Sequence, residues 1–365
     1  MKILHVLYSG LGGHGNVFFS MVKADEKNEF KYEALFYGIE EVKPEYRQNC
    51  EEKNIKWHFA KKVRKLDIGF YKQIFRSIRS SNPDIIFLHG SSYIWLSKIY
   101  TLFSTKKCRI IVRETQANHL KTFLQSFWTF WSLLLADKIV FLSDQYKLQL
   151  KNKFRIFFNN KKTVVIPNGI DIELYQTKSK TTSSNMLIGM QSRIVKIKDH
   201  TTLLKAFKIL KDSEIFNKYN IKLKIAGDGT YKHTLINLSK GLHIDTDVEF
   251  VGNLSEKILI QFLHSLDIYV HASLGETMST AIMQAMASGL PIIASDVPGI
   301  NNMIINNITG LLVEAGDEVQ MAACLQNYIV NKQLRTTIGL NALTFAQKHY
   351  SNKIMFKEYK KIFAR

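Results

Sequence analysis

ASLGETMSTAIMQAMASGLP, residues 272–291, carries the clearest structural signal in this chain of 365 residues. From Ala281 onward, apolar residues recur four positions apart, which predicts one buried face of a helix. Ser279 or Thr280 can cap the start of that helix, because a hydroxyl there accepts a hydrogen bond from a free backbone N–H group. Gly289 is typical of a residue that ends a helix. The stretch therefore predicts a helix that lies between Ser279 and Gly289.

A strand is predicted immediately before this helix. The run from Leu266 to Ala272 is mostly apolar, so the chain passes from a strand through a short loop, which contains Glu276, into the helix. Such a loop directs free N–H groups and the positive end of the helix toward whatever binds there. Phosphate is a typical ligand of such a site. An ordinary turn between a strand and a helix fits the same spacing.

The segment from Glu276 to Gln284, followed by AMASGLPIIASD, resembles the Glu-x7-Glu signature of retaining glycosyltransferase family 4, whose members have the GT-B fold. Gln284 stands where the family has its second Glu. Further landmarks follow in family order from the first strand to the last helix, so the resemblance covers essentially the whole chain. It implies an α/β protein of GT-B architecture, in which two Rossmann-like domains with parallel sheets face an interdomain cleft.

The resemblance also implies how the chain divides into domains. Residues 1–172 are expected to form an acceptor-binding Rossmann-like domain, and residues 173–345 a nucleotide-sugar-binding one. Residues 346–365 are expected to contain a helix that crosses back to the first domain. Pro and Gly punctuate Val164–Asp171, which resembles the family's linker. The polar segment 177–185 lacks periodicity, which predicts a loop or linker.

The composition is typical of a soluble globular protein. Hydrophobic residues make up 46% of the chain and charged residues 22%. Cys50, Cys108 and Cys324 lie far apart without the spacing of a metal site, so we expect free thiols in a reducing compartment. No apolar run reaches the roughly 18 residues that a membrane span needs. Because Met1 to Leu7 predicts a strand, we expect no signal peptide.

Positive charge is concentrated in the first half of the chain. The net charge is +19, of which residues 1–172 contribute 28 − 15 = +13 and residues 173–365 contribute 22 − 16 = +6. A basic surface favours anionic partners. We expect an anionic membrane surface and no nucleic acid, because no nucleic-acid-binding motif accompanies the charge. A basic surface that serves only solubility is the alternative.

Two segments of the first half could contact such a membrane. The cluster Lys61–Lys65, with Lys72, Arg76 and Arg79 on the helix predicted after it, is either a lipid headgroup patch or a solvated face. The apolar stripe between Phe123 and Leu135 is rich in aromatic residues. Most stripes of this kind face a core, but tryptophan also favours membrane interfaces.

A glycine-rich loop, Ser9–Gly15, follows the predicted first strand, Lys2–Tyr8. Glycine lets a backbone approach a ligand closely. The acidic residue that would read a ribose about 20 residues downstream is not evident, so the sequence does not predict a dinucleotide site. The loop resembles the first loop of the family, which faces the donor phosphates. This likeness implies a donor-binding role for Gly13.

Four residues of the first half are candidates for the acceptor side of a transferase site. His89 ends the apolar strand that starts near Asp84, and open α/β sheets bind ligands at such strand ends. A buried structural histidine is the alternative. Thr115 stands where the family usually has a histidine near the donor sugar, and His119 follows four residues later. His14 in the glycine loop completes this group.

Arg193 and Lys198 follow the predicted strand Met186–Gln191 and stand five positions apart. They resemble the Arg-x4-Lys pair of the family, which holds the donor diphosphate. Fixed cations stabilise the negative charge that grows on a departing diphosphate. No Asp-x-Asp motif is visible that would supply ligands for a bridging Mg²⁺. We therefore expect neither a metal ion nor a cofactor.

The resemblance assigns roles to the residues of the first quoted stretch. Glu276 would act with Arg193 and Lys198 as a catalytic residue and hold hydroxyl groups of the donor sugar. Gln284 would hold the ribose. The remaining donor-binding residues implied by the family are Met278, Ser279 and Thr280.

These observations together lead us to expect a cytoplasmic, retaining, metal-independent glycosyltransferase, peripheral on the inner face of the cell membrane. Its partners would be a nucleotide-sugar donor and a saccharide or lipid-linked acceptor, such as an intermediate of capsule or lipopolysaccharide. The family has no established protein nucleophile, and the acceptor hydroxyl is thought to attack the face that the phosphate leaves. Two alternatives share the fold: a sugar-nucleotide epimerase and a non-catalytic nucleotide-sugar-binding protein.

Overall fold

The chain divides into two compact units. Unit 1 is Met1–Gly169 with Asn352–Arg365, and unit 2 is Ile170–Ser351. The computed structural model describes residues 1–10, 13–63, 67–116, 118, 121–176 and 186–364. The described ranges do not include four of the features predicted above, namely His119, Arg64, Lys65 and the linker 177–185.

A seven-stranded parallel sheet forms the centre of unit 1, in the order β3-β2-β1-β4-β5-β6-β7. Its strands are β1 (Lys2–Tyr8), β2 (Lys31–Gly38), β3 (Lys56–Lys61), β4 (Ile85–His89), β5 (Arg109–Arg113), β6 (Lys138–Phe141) and β7 (Thr163–Val165). The helices of unit 1 are α1 (Gly13–Ala24), α2 (Pro44–Glu52), α3 (Ile68–Ser81), α4 (Ile94–Phe103), α5 (Phe123–Leu135), α6 (Asp144–Lys153) and α15 (Asn352–Phe363).

Helices cover both faces of this sheet, which is why its strands are nearly continuous apolar runs. Alternate residues of a strand point to opposite faces. Ile3 and Leu7 of β1 belong to the core that contains α1, α2 and α15, whereas Leu4 and Val6 belong to the core that contains α3 to α6. Because helices cover both faces, a polar ligand can reach the sheet only at the ends of its strands.

A six-stranded parallel sheet forms the centre of unit 2, in the order β10-β9-β8-β11-β12-β13. Its strands are β8 (Met186–Gln191), β9 (Ile221–Ala226), β10 (Val248–Gly252), β11 (Ile268–His271), β12 (Ile292–Ser295) and β13 (Leu311–Val313). The helices of unit 2 are α7 (Ile172–Tyr175), α8 (His200–Lys211), α9 (Ile215–Tyr219), α10 (Lys232–Gly241), α11 (Glu256–Ser265), α12 (Thr280–Ala287), α13 (Glu318–Val330) and α14 (Lys332–His349).

The strand order reverses once in each sheet. The reversal lies between β1 and β4 in unit 1 and between β8 and β11 in unit 2. Open α/β sheets bind ligands at the carboxyl ends of the strands that flank such a reversal. Each unit therefore has one favoured position for a site.

The predicted α/β architecture with two parallel sheets is confirmed. Ser279 is the residue that caps α12, and its side chain accepts a hydrogen bond from the N–H of Ile282. One boundary differs, because α1 begins at Gly13, whereas the sequence predicted a loop as far as Gly15. Gly15 lies inside α1, where a Cβ atom would come within 2.1 Å of the ring of Tyr46. This glycine therefore makes room for a packed ring and does not form a turn.

A cluster of polar side chains lies in the core of unit 1. His5 of β1 and His89 of β4 are buried, and His5 Nδ1 lies 3.1 Å from His89 Nε2. Arg113, the last residue of β5, is also buried, with one guanidinium nitrogen 3.3 Å from His89 Nδ1. Its other terminal nitrogen donates to Asn168 Oδ1. Burial, reinforced by the charge of Arg113, lowers the pKa of His5 to about 3 and that of His89 well below 6.5.

Acidification from about pH 7.5 to about pH 5.5 is expected to weaken unit 1. An unfolded histidine titrates near pH 6.5, whereas folded His5 binds its proton only near pH 3, so unfolding takes up protons between these values. The stability that comes from keeping these histidines uncharged is complete above about pH 6.5. Below that, the free energy of unfolding decreases by up to about 1.4 kcal/mol for each pH unit of acidification and each such histidine. Urea unfolding followed by tryptophan emission measures it, because all four tryptophans lie in unit 1.

The variant His5→Phe is the control for this experiment. The ring of His5 lies 4.6 Å from that of Phe18 and 4.7 Å from that of Phe87, so a phenylalanine suits the site sterically and cannot take up a proton. Its free energy of unfolding should fall less than that of the wild type over the same pH range. Equal losses in the two proteins would mean that His5 does not contribute to the acid sensitivity.

Candidate functional site

Two loops meet at the carboxyl ends of β8 and β11, where the strand order of unit 2 reverses. They are residues 192–199, after β8, and residues 272–279, after β11. The N–H of Leu274 donates to the carbonyl oxygen of Ile197 at 2.8 Å, and the hydroxyl of Ser273 donates to the same oxygen at 3.2 Å. These hydrogen bonds hold the two loops side by side.

Lys198 and Glu276 form an ion pair between the two loops, from Nζ to Oε2. Their side chains are only 13% and 16% exposed, so solvent ions screen the pair little. Glu276 Oε1 also accepts a hydrogen bond from the N–H of Thr277 at 3.2 Å. Each charge is costly to bury alone and compensates the other. Two of the three predicted catalytic residues are thus in contact.

His271, the last residue of β11, orients this pair. Its Nε2 atom lies 3.4 Å from Glu276 Oε2 and 3.3 Å from Ser279 Oγ. Its Nδ1 atom lies 3.4 Å from the hydroxyl of Tyr269, which donates to the carbonyl oxygen of Gln191 at 3.2 Å. The imidazole is buried and contacts both the candidate catalytic carboxylate and the residue that caps α12.

The electrostatics of the site keep Glu276 ionised. Burial alone would raise the pKa of its carboxyl group, but the hydrogen bond from His271 and the ammonium group of Lys198 outweigh this effect and hold the pKa at about 2. Burial lowers the pKa of His271, an effect that the hydrogen bond with Glu276 opposes and the charge of Lys198 reinforces. At neutral pH the site therefore combines a carboxylate, an ammonium group and an uncharged imidazole.

Two glycines permit close backbone contacts around these loops. Gly299 has a φ of 95°, and a Cβ atom there would lie 2.3 Å from the carbonyl oxygen of Glu276. Gly227, after β9, has a φ of 130°, and a Cβ atom there would lie 1.9 Å from the carbonyl oxygen of Ser192. Side chains at either position would displace the loop that carries Glu276 or the loop that carries Lys198.

Arg193 is exposed in the loop after β8. Within the described part of the chain, its guanidinium group makes no hydrogen bond and no ion pair, so neither kind of bond joins it to Lys198 or Glu276. All its donors are therefore available to a ligand. Its predicted role in holding a diphosphate stays a prediction.

The predicted donor-binding residues of α12 lie at its start and on its buried face. Ser279 is the cap and Thr280 the first residue of the helix, with Met278 immediately before them. Gln284 is buried, and its Nε2 atom donates to the hydroxyl of Tyr175 in α7 at 2.8 Å. The NH₂ group of the amide thus has an acceptor within unit 2, which leaves the amide oxygen to accept a further hydrogen bond.

Three of the four candidate acceptor-side residues lie together in unit 1. His14 Nε2 lies 3.0 Å from Thr115 Oγ1, and the ring of His14 is 5.7 Å from that of His89. Burial, reinforced by the charge of Arg113, lowers the pKa of His14 to about 3. Gly13 starts α1 beside His14, and a Cβ atom there would meet no atom within 4 Å.

Several residues around the candidate sites of units 1 and 2 belong to no sequence motif. His271 and Arg113 are each the last residue of a central strand, which is the one signal that could have indicated them. Tyr175 and Gly299 reach the site through contacts that are distant in sequence. Spacing along the chain could not have revealed either.

Two further properties concern metals and membranes. Among the described residues, no group of three or more His, Cys, Asp or Glu side chains could hold a metal ion. The expected independence from metals stays a prediction. None of the helices in the described ranges is long and apolar enough to cross a membrane.

Two protein families match nearly the whole chain. Residues 11–174 match the family described as "Glycosyltransferase Family 4", and residues 171–344 match "Glycosyl transferases group 1". The boundary between the two matches lies close to the start of unit 2. The matches therefore account for both units separately.

Individual proteins are similar over much of the chain. An uncharacterized glycosyltransferase from Methanocaldococcus jannaschii is 30% identical over 239 residues, which cover 63% of this chain and 59% of that protein. The capsular polysaccharide biosynthesis glycosyltransferase CapM from Staphylococcus aureus is 26% identical over 245 residues, or 64% of this chain and 62% of its own length. The chain thus spans about three fifths of the length of these relatives.

Solved structures support the fold. The structure of HepE from Anabaena in complex with UDP and glucose superimposes with a TM-score of 0.82 at 17% identity and covers 100% of this chain and 99% of that one. At this level of identity the likeness shows the fold alone. It confirms the predicted GT-B architecture. With both units matched by their families and this fold, the chain belongs to the GT-B glycosyltransferases of family 4.

Proposed function

We propose that the protein is a retaining glycosyltransferase that moves a sugar from a nucleotide-sugar donor to a hydroxyl acceptor without a metal ion. The observation that carries this proposal is the Lys198–Glu276 pair at the strand-order reversal of unit 2. A cation and a carboxylate held side by side match two adjacent parts of a nucleotide sugar. The cation suits the diphosphate, and the carboxylate suits the hydroxyl groups of the sugar.

Each charged residue has one task in this reaction. Lys198 and Arg193 stabilise the negative charge that develops on the leaving diphosphate, as preorganised cations do in other phosphate chemistry. Glu276 accepts hydrogen bonds from hydroxyl groups of the donor sugar, for which its low pKa keeps it fully ionised. His271 holds the carboxylate in place and does not itself need to change charge.

The proposed chemistry needs no protein nucleophile. The bond between the anomeric carbon and the phosphate oxygen breaks, and its electron pair stays with the diphosphate. The acceptor hydroxyl forms the new bond on the same face of the sugar, so the anomeric configuration is retained. Its proton passes to an oxygen of the leaving phosphate. The products are a glycoside and a nucleoside diphosphate.

The acceptor is proposed to bind near the cluster of unit 1. His14, Thr115 and His89 lie together there, and His14 Nδ1 is buried without a hydrogen-bond partner among the described residues. An unpaired donor or acceptor of this kind suits a sugar hydroxyl. His119 is proposed for the same side on its sequence position alone, and Gly13 for the donor phosphates.

A lipid-linked intermediate of a surface polysaccharide is the proposed acceptor. The name of the relative CapM refers to capsular polysaccharide, and the first half of this chain has a net charge of +13. A basic surface suits work at the anionic inner face of a membrane, where the protein would be cytoplasmic and peripheral. Neither metal nor cofactor is part of the proposal.

Two other activities compete with this proposal. An epimerase would convert one nucleotide sugar into another in the absence of any acceptor. A non-catalytic binder would bind the donor and leave it intact. Proton NMR of the donor separates the three, because a transferase releases nucleoside diphosphate together with transferred or hydrolysed sugar. A new nucleotide sugar, or an unchanged donor with every acceptor tried, would contradict the proposal.

Replacing either cation is expected to slow turnover of the donor. Lys198→Ala and Arg193→Ala should each lower kcat by about 100-fold or more, the scale on which a preorganised electrostatic group contributes. Release of the nucleoside diphosphate measures kcat. Lys196→Ala is the matched control, because Lys196 is exposed in the same loop and no role is assigned to it. Activity of both test variants within about threefold of the Lys196→Ala control would refute the assignment.

Changes at Gln284 test its proposed contact with the ribose. Gln284→Glu should leave a working enzyme with KM for the donor changed by about tenfold or less, since a carboxylate keeps acceptor oxygens for the ribose hydroxyl groups. Gln284→Ala should weaken donor binding by about 1–3 kcal/mol, the cost of an unpaired buried polar group. Initial-rate kinetics give the KM of Gln284→Glu, and calorimetry with the donor gives the affinity of Gln284→Ala.

The variant Tyr175→Phe separates ribose binding from helix packing. It removes the acceptor of the Gln284 amide and leaves the amide oxygen in place. Donor affinity should therefore fall less than in Gln284→Ala. If Gln284→Ala binds the donor as tightly as the wild type, Gln284 is a packing residue that does not touch the ribose.

A further inference from the structure

An apolar stripe on α4 faces the solvent. Trp95, Ile99, Leu102 and Phe103 are spaced as one face of a helix, and their exposed fractions are 37%, 40%, 70% and 82%. The opposite side of α4 is buried through Ile94 in the core of unit 1. This helix is therefore apolar on its outer as well as its inner side, which a solvated surface does not require.

A second outward stripe lies on α5, which packs beside α4. Phe123, Leu124, Phe127 and Leu134 are 89%, 60%, 42% and 37% exposed. The sequence allowed this stripe to be a core face or an interfacial one, and these exposures place its outer half in solvent. Two adjacent helices thus present apolar side chains outward.

Ring contacts join the two stripes into one surface. The ring of Trp95 lies 4.7 Å from that of Trp131, which contacts Phe130 at 5.6 Å. Phe130 in turn contacts Phe157 at 5.0 Å, after the end of α6. Phe157 and its neighbour Ile156 are 47% and 91% exposed. We call this surface the aromatic face; its exposed members are Trp95, Ile99, Leu102, Phe103, Phe123, Leu124, Phe127, Leu134, Ile156 and Phe157.

The segments that form the aromatic face contain basic residues and no acidic ones. Residues 91–107, 115–136 and 145–163 together contain ten Lys or Arg and no Asp or Glu, whereas the whole chain has 31 acidic residues in 365. Two of these basic residues are already paired: Lys121 pairs with Glu114 in the interior, and Lys106 pairs with Asp84. Lys107, Lys151 and Arg155 are exposed. The segments that carry the aromatic face are thus basic, and exposed Asp137 and Asp144 directly flank two of them.

We propose that the aromatic face docks the protein on an anionic phospholipid bilayer. Exposed tryptophan, phenylalanine and leucine bordered by lysine and arginine are the combination that binds at the boundary between headgroups and acyl chains. Soluble monomers rarely expose contiguous apolar patches of this kind without a partner. This docking rests on the proposed function and extends it, because binding to the bilayer would bring the enzyme to an acceptor carried on a lipid.

A second copy of the chain suits this surface less well. A two-fold interface would place the same basic segments opposite each other, with no acidic residue in them to compensate. The cluster at Lys61 and Lys62, which the sequence suggested as a headgroup patch, is a weaker candidate for membrane binding than the aromatic face. Lys61 pairs with Glu41, and Lys62 lies over the ring of Phe70 at 5.9 Å.

Cosedimentation with vesicles tests the proposal. The wild type should bind vesicles of phosphatidylglycerol and phosphatidylcholine, with binding weakened by salt, and should bind pure phosphatidylcholine far less. A quadruple variant, with Leu102→Ser, Phe103→Ser, Phe123→Ser and Leu124→Ser, should lose at least about tenfold in vesicle affinity. Circular dichroism verifies that the variant is folded.

The matched control removes exposed apolar residues from unit 2. Val319→Ser with Leu340→Ser changes side chains that are 66% and 58% exposed and should bind vesicles like the wild type. The proposal is overturned if the wild type binds no anionic vesicles at low ionic strength, or if the quadruple variant binds them like this control. It is also overturned if light scattering finds a wild-type dimer that the quadruple variant converts to a monomer.

Donor turnover without vesicles separates this proposal from the proposed function. The quadruple variant changes no residue of the donor site and should keep wild-type turnover in solution. Vesicle binding by a wild type that turns over no donor would contradict the proposed function and leave the docking surface intact. Turnover of the donor by a wild type that binds no vesicles would contradict the docking surface and leave the proposed function intact.

Discussion

The ion pair between Lys198 and Glu276 is the interaction on which the site in unit 2 depends. Each charge would be costly to bury alone, and the ion pair compensates both charges where the two loops meet. Hydrogen bonds to the carbonyl oxygen of Ile197 and the close approach of Gly299 fix the backbone around the pair. A diphosphate would offer Lys198 a second anionic partner at the same place, and the carboxylate would then be free for sugar hydroxyls.

The two units place different polar side chains at equivalent positions of their sheets. Helices cover both faces of each parallel sheet, so polar groups gather at the strand ends where the strand order reverses. Unit 2 places a carboxylate and an ammonium group there. Unit 1 places uncharged imidazoles beside a buried guanidinium group. The charged end suits a nucleotide diphosphate, and the imidazoles suit neutral hydroxyl groups.

Local sequence signals predicted what depends on local structure. The cap at Ser279, the strand before it and the position of Glu276 between them all follow from neighbouring residues. Contacts between distant residues could not be predicted this way: Tyr175 meets Gln284, and Gly299 meets the backbone of Glu276. The stripe on α5 illustrates a second limit, because helical periodicity is the same whether the apolar side faces a core or the solvent. Burial decides between the two, and burial follows from the complete fold.

Thermal unfolding in the presence of nucleotides tests most directly whether the Lys198–Glu276 site binds a nucleotide diphosphate. The protein is mixed in turn with UDP-, GDP-, ADP- and dTDP-sugars and with the matching nucleoside diphosphates and monophosphates. One base series should stabilise the protein, by about 2.7 kcal/mol when the ligand is at 100 times its Kd. Within that series the diphosphate should stabilise the protein more than the monophosphate, because the ammonium group of Lys198 is proposed to pair with the second phosphate. No shift with any of these ligands, or equal shifts with diphosphate and monophosphate, would contradict the proposed site.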